Sequence, residues 1–499
     1  MSRVSLLLFS LSSATLFTVA PSLAASVSAN ASAEGPLSFD EARVIFHDKS
    51  DIFRADNARI AHAQKEAEAA KSLNGPRVDL TFKQVWGTKE IHFDAGDQLS
   101  GVGDALGKGL TQLPPAIAQG LAPALSGLSS QLSQLSFDVK QKLDGPRLSI
   151  DAMWPIYTGG LISAEQTALH EKVNETTAER DMRLNTMDAE LVAKYWGLQL
   201  ARSIEALRTS SLQDQEDELH KAKRFEQKGV ISKLERLSVQ VARDSAKREL
   251  QKAQTNTEVA TAQLANALRK PTVAELSTPL FVLTGDLGTL SMWQNRAQAN
   301  SPLLRRLTAL RAQADQGVKA ASAAFKPKVF AFGSRNLIKH YLSLVEPDWI
   351  AGVGVTFTLW SDRDRSSKYA AANELVNSAV AARDEVSNQL STAVETAFLH
   401  AVQARDEYVS TASNVELATE NLRLRTKAFS EGLSTANDVD IARTQLLAAE
   451  LSRRVAAYEF IVSWALLHAT SGVMEDFYAS LKRPDFSACL LYTSDAADE

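Results

Sequence analysis

Gly229-Val230-Ile231-Ser232, followed by Glu235, and Gly432-Leu433-Ser434-Thr435, followed by Asp438, are the two stretches on which the fold turns. Each places Gly first, an apolar residue at +1, a hydroxyl at +3 and an acid at +6. Glycine reaches positive φ without steric cost, which is what a chain needs where it reverses between antiparallel helices. The two stretches lie 203 positions apart. The same offset relates Tyr195 to Phe398, Arg202 to Arg405 and Tyr157 to Trp360. This agreement marks an internal repeat.

Long segments without helix breakers run out from both turns. Leu161 to Lys228 is interrupted only by Gly197 and is rich in Ala, Leu, Glu, Lys and Gln. A helix of that length would measure about 100 Å. Ser232 to Leu268, Arg365 to Glu431 and Thr435 to Ala469 read the same way, and Phe39 to Leu73 reads as a further helix stopped by Asn74-Gly75-Pro76. Such lengths suit coiled bundles and spacers.

Ahead of each long helix lie two strand patterns: Arg77–Trp86 with Arg147–Tyr157, and Lys328–Leu337 with Trp349–Trp360. Alternation is clearest where Val353, Val355, Phe357 and Leu359 are interleaved with Gly354, Thr356 and Thr358. Each spans about 10 residues, enough for a tilted strand to cross a bilayer. Trp86, Trp154, Trp349 and Trp360 stand at or near strand ends, where a membrane-interface aromatic belt would put them. Four strands cannot close a barrel with a lumen, whereas three chains would contribute twelve. A membrane role therefore requires oligomerisation. Pro76 and Pro327, which open the corresponding strands, are 251 positions apart, so extra residues sit in the first copy, over Ala95 to Asp144. There Leu99, Val102, Leu106, Leu110, Leu113, Ile117 and Leu121, then Leu125, Leu128, Leu132 and Leu135, recur at helical spacings broken by Pro114-Pro115.

Arg3, the apolar run Val4 to Ala20 and the small residues around Ser22-Leu23-Ala24 read as a cleaved export signal over 1–24. Nothing later approaches 18 consecutive apolar residues, so entry into a membrane would be as a β-barrel. The string from Cys489 to Glu499 resembles a translated sequencing adapter, so the natural C-terminus is expected to be missing. Without that string the chain has no cysteine, which suits an exported protein without disulfides. The expected organisation is a signal peptide (1–24), a first repeat (37–270), a linker or equatorial segment (271–289), a second repeat (290–470), a truncated C-terminal segment (471–488) and the foreign string (489–499). Within the first repeat, 87–146 is read as one long loop.

A formal net charge of −5 over 499 residues gives no reason to expect nucleic acid. The eight histidines are dispersed without ligand spacing, the six methionines form no soft-metal cluster, and no nucleophile elbow or phosphate loop occurs. No enzyme, metal or cofactor is expected.

The chain resembles the TolC-like outer-membrane efflux family from Leu37-Ser38-Phe39-Asp40-Glu41-Ala42 to about Ala469. The resemblance is most specific at Trp154-Pro155-Ile156-Tyr157-Thr158-Gly159-Gly160, at Phe225 to Glu235 and in the duplication itself. It implies a mixed α and β fold: a membrane β-barrel shared by three chains, four strands each, continuing into a long periplasmic coiled-coil barrel. It implies a homotrimer in outer-membrane lipid, docked through a periplasmic adaptor to an inner-membrane transporter, that exports small toxic compounds or, as in type I secretion, protein. The Gly turns would sit at the periplasmic tips, with Gly229, Val230, Gly432 and Leu433 as docking surface and Ile231 beside them. Asp438 matches an acid ring that narrows the entrance, Asp440 stands near the place of a second acid, and Glu235 and Phe429 occupy latch positions. Phe429 and Ser434 depart from the Tyr and Arg that family latches can carry, so that latch is partly absent. Three like charges around an axis would favour cations and raise the acids' pKa values. The insertion would be an extracellular loop. The rival reading is a non-conducting periplasmic coiled-coil scaffold or adaptor.

Overall fold

The computed structural model describes residues 35–94, 136–340, 342 and 346–489, with six isolated positions between 108 and 130. The export signal, nearly all of the leucine-rich insertion and positions 490–499 lie outside the described residues.

The chain opens with α1 (Phe39–Lys49) and α2 (Asp51–Ala70). The sequence, free of Gly and Pro, predicts one helix here. The structure breaks it at Ser50, which leaves helical geometry (φ −74°, ψ 115°) and caps α2 by accepting from the Phe53 N–H. A serine followed by Asp51 offers the backbone that alternative.

Strand β1 (Arg77–Val85) leads into β2 (Thr88–Asp94), and β3 (Ser136–Lys142) leads into β4 (Gly145–Tyr157). β2 and β3 pair antiparallel as a separate ribbon inside what reads as one long loop in sequence. A kink separates ribbon from sheet: Gly87 N–H donates to the Asp144 carboxylate at 3.0 Å, and Leu143 N–H to the Gly87 carbonyl at 2.8 Å.

Next come α3 (Leu161–Gln227) and α4 (Lys233–Ala267), then the short β5 (Phe281–Leu283). The second half holds α5 (Leu290–Asn300), α6 (Pro302–Ser322), β6 (Lys328–Asn336), β7 (Trp349–Thr356), α7 (Arg365–Ser430) and α8 (Ala436–Ser471). It closes on α9 (Met474–Ser480) and β8 (Phe486–Ala488). β7 stops earlier than its alternation suggests. Its last pair is Thr356 with Lys328, where β6 begins after Pro327, and beyond it Arg365 donates to the Thr358 and Leu359 carbonyls.

β1, β4, β6 and β7 form one antiparallel sheet in that order. The register fixes its two faces. One carries Val78, Leu80, Phe82, Ile150, Trp154, Val353 and Val355, all exposed. The other carries Arg77, Asp79, Thr81, Lys83, Arg147, Ser149, Asp151, Ser334 and Asn336. The sheet is therefore amphipathic with its apolar side uncovered, the reverse of a soluble domain's economy.

The helices pack as two hairpins, α3 with α4 and α7 with α8, and α8 also packs on α3. α2 and α6 lie along the other part of α3, and α6 also contacts α7. One large core sits where all these elements cross, built from Phe39, Leu191, Tyr195, Trp196, Phe281, Trp293, Phe460, Trp464 and Phe477. Residues 271–289, expected as a linker or equatorial segment, supply β5, whose three side chains are fully buried, and β8 pairs with it. Cys489 N–H donates to the Leu280 carbonyl at 2.7 Å. Among the described residues, no helix is long and apolar enough to cross a membrane.

Candidate functional site

The two glycine turns are built alike. Gly229 has φ 73° and Gly432 φ 76°. After the first, Val230 N–H reaches back to the Phe225 carbonyl at 2.9 Å; after the second, Leu433 N–H reaches the Ala428 carbonyl at 2.8 Å. These bonds satisfy the free carbonyls of α3 and α7 and need a left-handed residue at the glycine. The next helix then starts on a reciprocal cap. The Ser232 hydroxyl accepts from Glu235 N–H and the Glu235 carboxylate accepts from Ser232 N–H; Thr435 and Asp438 repeat the arrangement.

Side by side, the turns enclose a cleft of about 530 Å³ lined by Phe225, Val230, Ile231, Phe429, Leu433 and Asp438. Phe225 and Phe429 face each other at 6.4 Å between ring centroids. Phe429 and Ile231 pack on the small buried cluster Leu219, Ala222, Val239 and Ala436. Val230 and Leu433, at the rim of that cleft, are 66% and 78% exposed, two apolar side chains left largely uncovered by the described residues.

The sequence-predicted acids are not brought together. Asp438 is engaged by its cap, while Asp440 lies toward α3, where its carboxylate accepts from Gln215 at 2.6 Å. Residues two apart point to different sides of a helix. Gln215 has no signal in the sequence; its role appears only when α8 is laid on α3. Glu235 serves its own cap and, among the described residues, makes no bond to the second turn.

Crowding of like charges would raise the Asp438 pKa, but within the chain the shift is downward. The Thr435 N–H, the Thr435 hydroxyl and the Ser434 hydroxyl, in that order, favour its charged form. A folded value below the ordinary 3.8 means that the cap contributes stability above the unfolded pKa and loses it as pH falls through the folded one. The tip should stay ordered from neutral pH to about pH 4 and loosen only below. Amide exchange over 432–442, corrected for intrinsic rates, checks this. Loosening that begins near pH 6 would restore the crowding view.

At the sheet, Trp86 follows β1 and Trp349 opens β7, both at the end away from the long helices. Trp154 and Trp360 lie toward the helices, where the Trp154 indole N–H donates to the Asn74 carbonyl at 2.8 Å. All four are more than half exposed. Among the described residues no cluster of His, Cys, Asp and Glu could hold a metal ion.

A family model described as outer membrane efflux protein matches residues 293–473, from α5 to the end of α8. A search of curated proteins by sequence returned no match. Among solved structures, the outer membrane protein VceC from Vibrio cholerae superposes with a TM-score of 0.67 at 15% identity, over 87% of this chain and 96% of its own. The open-state outer membrane channel MtrE of Neisseria gonorrhoeae gives 0.63 at 16% identity, over 87% and 89%. The outer membrane channel CmeC of Campylobacter jejuni gives 0.67 at 12%, over 89% and 88%. At these identities the structural likeness is one of fold. The resemblance to the outer-membrane efflux family is thus present in sequence over 293–473 and in fold over most of the chain.

Proposed function

We propose that this chain is a member of the outer-membrane efflux family and forms one third of a trimeric duct through the outer membrane. The sheet carries the reading. Its apolar face is uncovered in the single chain, and its two outer strands, β1 and β7, have free edges. Direction alternates along β1, β4, β6 and β7, so β7 of one chain meets β1 of the next antiparallel and a ring can close without a break. Twelve strands would enclose a lumen, with the charged face inward and the apolar face toward lipid. The two tryptophans at each end of the sheet then stand at the two membrane interfaces.

Beyond the sheet, the two helix hairpins extend into the periplasm, and the glycine turns form the tips. We read the halves as copies of one unit, each ending in a Gly turn and a reciprocal cap. Exposed Val230 and Leu433 would dock a periplasmic adaptor, which joins the duct to an inner-membrane transporter. The protein would be a passive conduit for small toxic compounds or secreted protein, gated where Asp438 and the α3–α8 contact of Gln215 and Asp440 hold the tips inward.

The full chain, reconstituted in a planar bilayer, should give small cation-preferring openings. Asp438→Ala combined with Asp440→Ala should enlarge them severalfold by freeing α8 from its cap and from Gln215. Silence from both, with protein that stays in solution without detergent, would favour the periplasmic scaffold.

A further inference from the structure

Five apolar side chains of β4, β6 and β7 interrupt the charged face of the sheet. The register sets Met153 beside Phe332 and Gly352, Pro155 beside Phe330 and Gly354, and Ile350 beside Ser334 and Asp151. Met153 is 56% and Ile350 50% exposed, although this face otherwise carries charges and hydroxyls. The two phenylalanine rings lie 6.1 Å apart and lean across β7. A Cβ added to Gly354 would come within 2.6 Å of the Phe330 ring, and one added to Gly352 within 3.1 Å of the Phe332 ring. Both glycines of β7 fall on this face, between Ile350 and Thr356, while Ala351, Val353 and Val355 occupy the other. The glycines thus form a floor on which two rings lie.

A carboxylate borders the rings. Asp151 accepts from the Ser334 hydroxyl at 2.6 Å and the Ser149 hydroxyl at 2.8 Å, and from Thr81; Lys83 on the same face acts on it at longer range, but no Lys or Arg among the described residues forms a contact ion pair with it. Its neighbour Asp79, in contrast, is neutralised by Arg77 at 2.9 Å. Asp151 and Met153 are two positions apart on one face, about 7 Å along the strand. A carboxylate without a contact ion pair beside two half-buried aromatic rings offers charge and ring quadrupole to the same visitor.

We propose that this patch is a transit site in the duct wall for planar aromatic cations, with Phe330 and Phe332 as the stacking platform and Asp151 as the counter-charge. It rests on the duct reading, which puts this face toward the lumen. Affinity for one such ring is weak, as conduction demands, because a site that holds cargo tightly stops flow. Three copies would line the barrel at one level.

The test is block of potassium current through the full chain in a planar bilayer. The probes are ethidium, the aliphatic cation tetrapropylammonium and the aromatic anion 1-naphthalenesulfonate. Ethidium should block at lower concentration than either of the others. Phe330→Leu with Phe332→Leu, which keeps apolar volume but removes the rings, should raise its half-blocking concentration about fivefold or more with unit conductance unchanged. Asp151→Asn should weaken ethidium block and leave the sulfonate unaffected. Equal block of wild type and the leucine variant, in channels that conduct normally, overturns the site while leaving the duct intact. Equal potency of the sulfonate overturns the role of Asp151. Absence of conductance in wild type removes the duct and this site with it.

Discussion

Val353→Arg should abolish stable membrane insertion. Val353 sits near the middle of β7 on the uncovered apolar face, 67% exposed, with Ala331 as its cross-strand neighbour. An arginine on the lipid side of a barrel costs about 2–4 kcal/mol at the midplane. A threefold assembly repeats that cost in each chain, for a total of roughly 6–12 kcal/mol. The control is Thr81→Arg, on β1 at the other edge of the sheet and on the charged face, where the new cation meets Asp151 and water. The measurement is the fraction of protein recovered with membranes and released only by detergent. Val353→Arg should leave that fraction and Thr81→Arg should stay in it. If both variants insert equally well, the apolar face does not meet lipid and the duct reading falls.

The contrast between those two positions was only half legible in the sequence. Alternation at Val353, Val355 and Phe357 identifies a strand with two unlike faces, and the glycine turns announce themselves through Gly followed by Ser-x-x-Glu or Thr-x-x-Asp. Local chemistry sets these features, so a local reading finds them. Pairing is not local. That Phe330 and Phe332 cover Gly354 and Gly352 depends on the β6–β7 register, which no single strand encodes. The β2–β3 ribbon escaped notice because Thr88-Lys89-Glu90 reads as solvated loop. Asp440 reads in sequence as a substitute ring acid, but its contact with Gln215, which depends on how α8 is laid on α3, is not legible there. Residues 271–289 read only as a linker or equatorial segment, because β5 is three residues long and finds its partner, β8, about 200 residues later.

That same long-range closure makes Trp196→Ala the substitution expected to damage the helical part most. Trp196 is fully buried near the middle of α3. Its ring lies 4.4 Å from Phe39, 5.7 Å from Phe281 and 6.1 Å from Phe477, and its indole N–H donates to the Pro279 carbonyl at 2.9 Å. It thus ties together α1, the segment before β5, β5 itself and α9, elements too short to persist alone. Away from this core, α3 and α7 are buried on only part of their surface and depend on their hairpin partners. Removing a buried Trp side chain typically costs about 3–5 kcal/mol, and here the Pro279 carbonyl also loses its donor. The loss should appear as faster amide exchange over 278–287 and 474–488, with the tips at Gly229 and Gly432 scarcely affected because their caps are local. Exchange that rises equally at core and tips would mean that the long helices unfold as one unit, and that the crossing is not where the short elements are held.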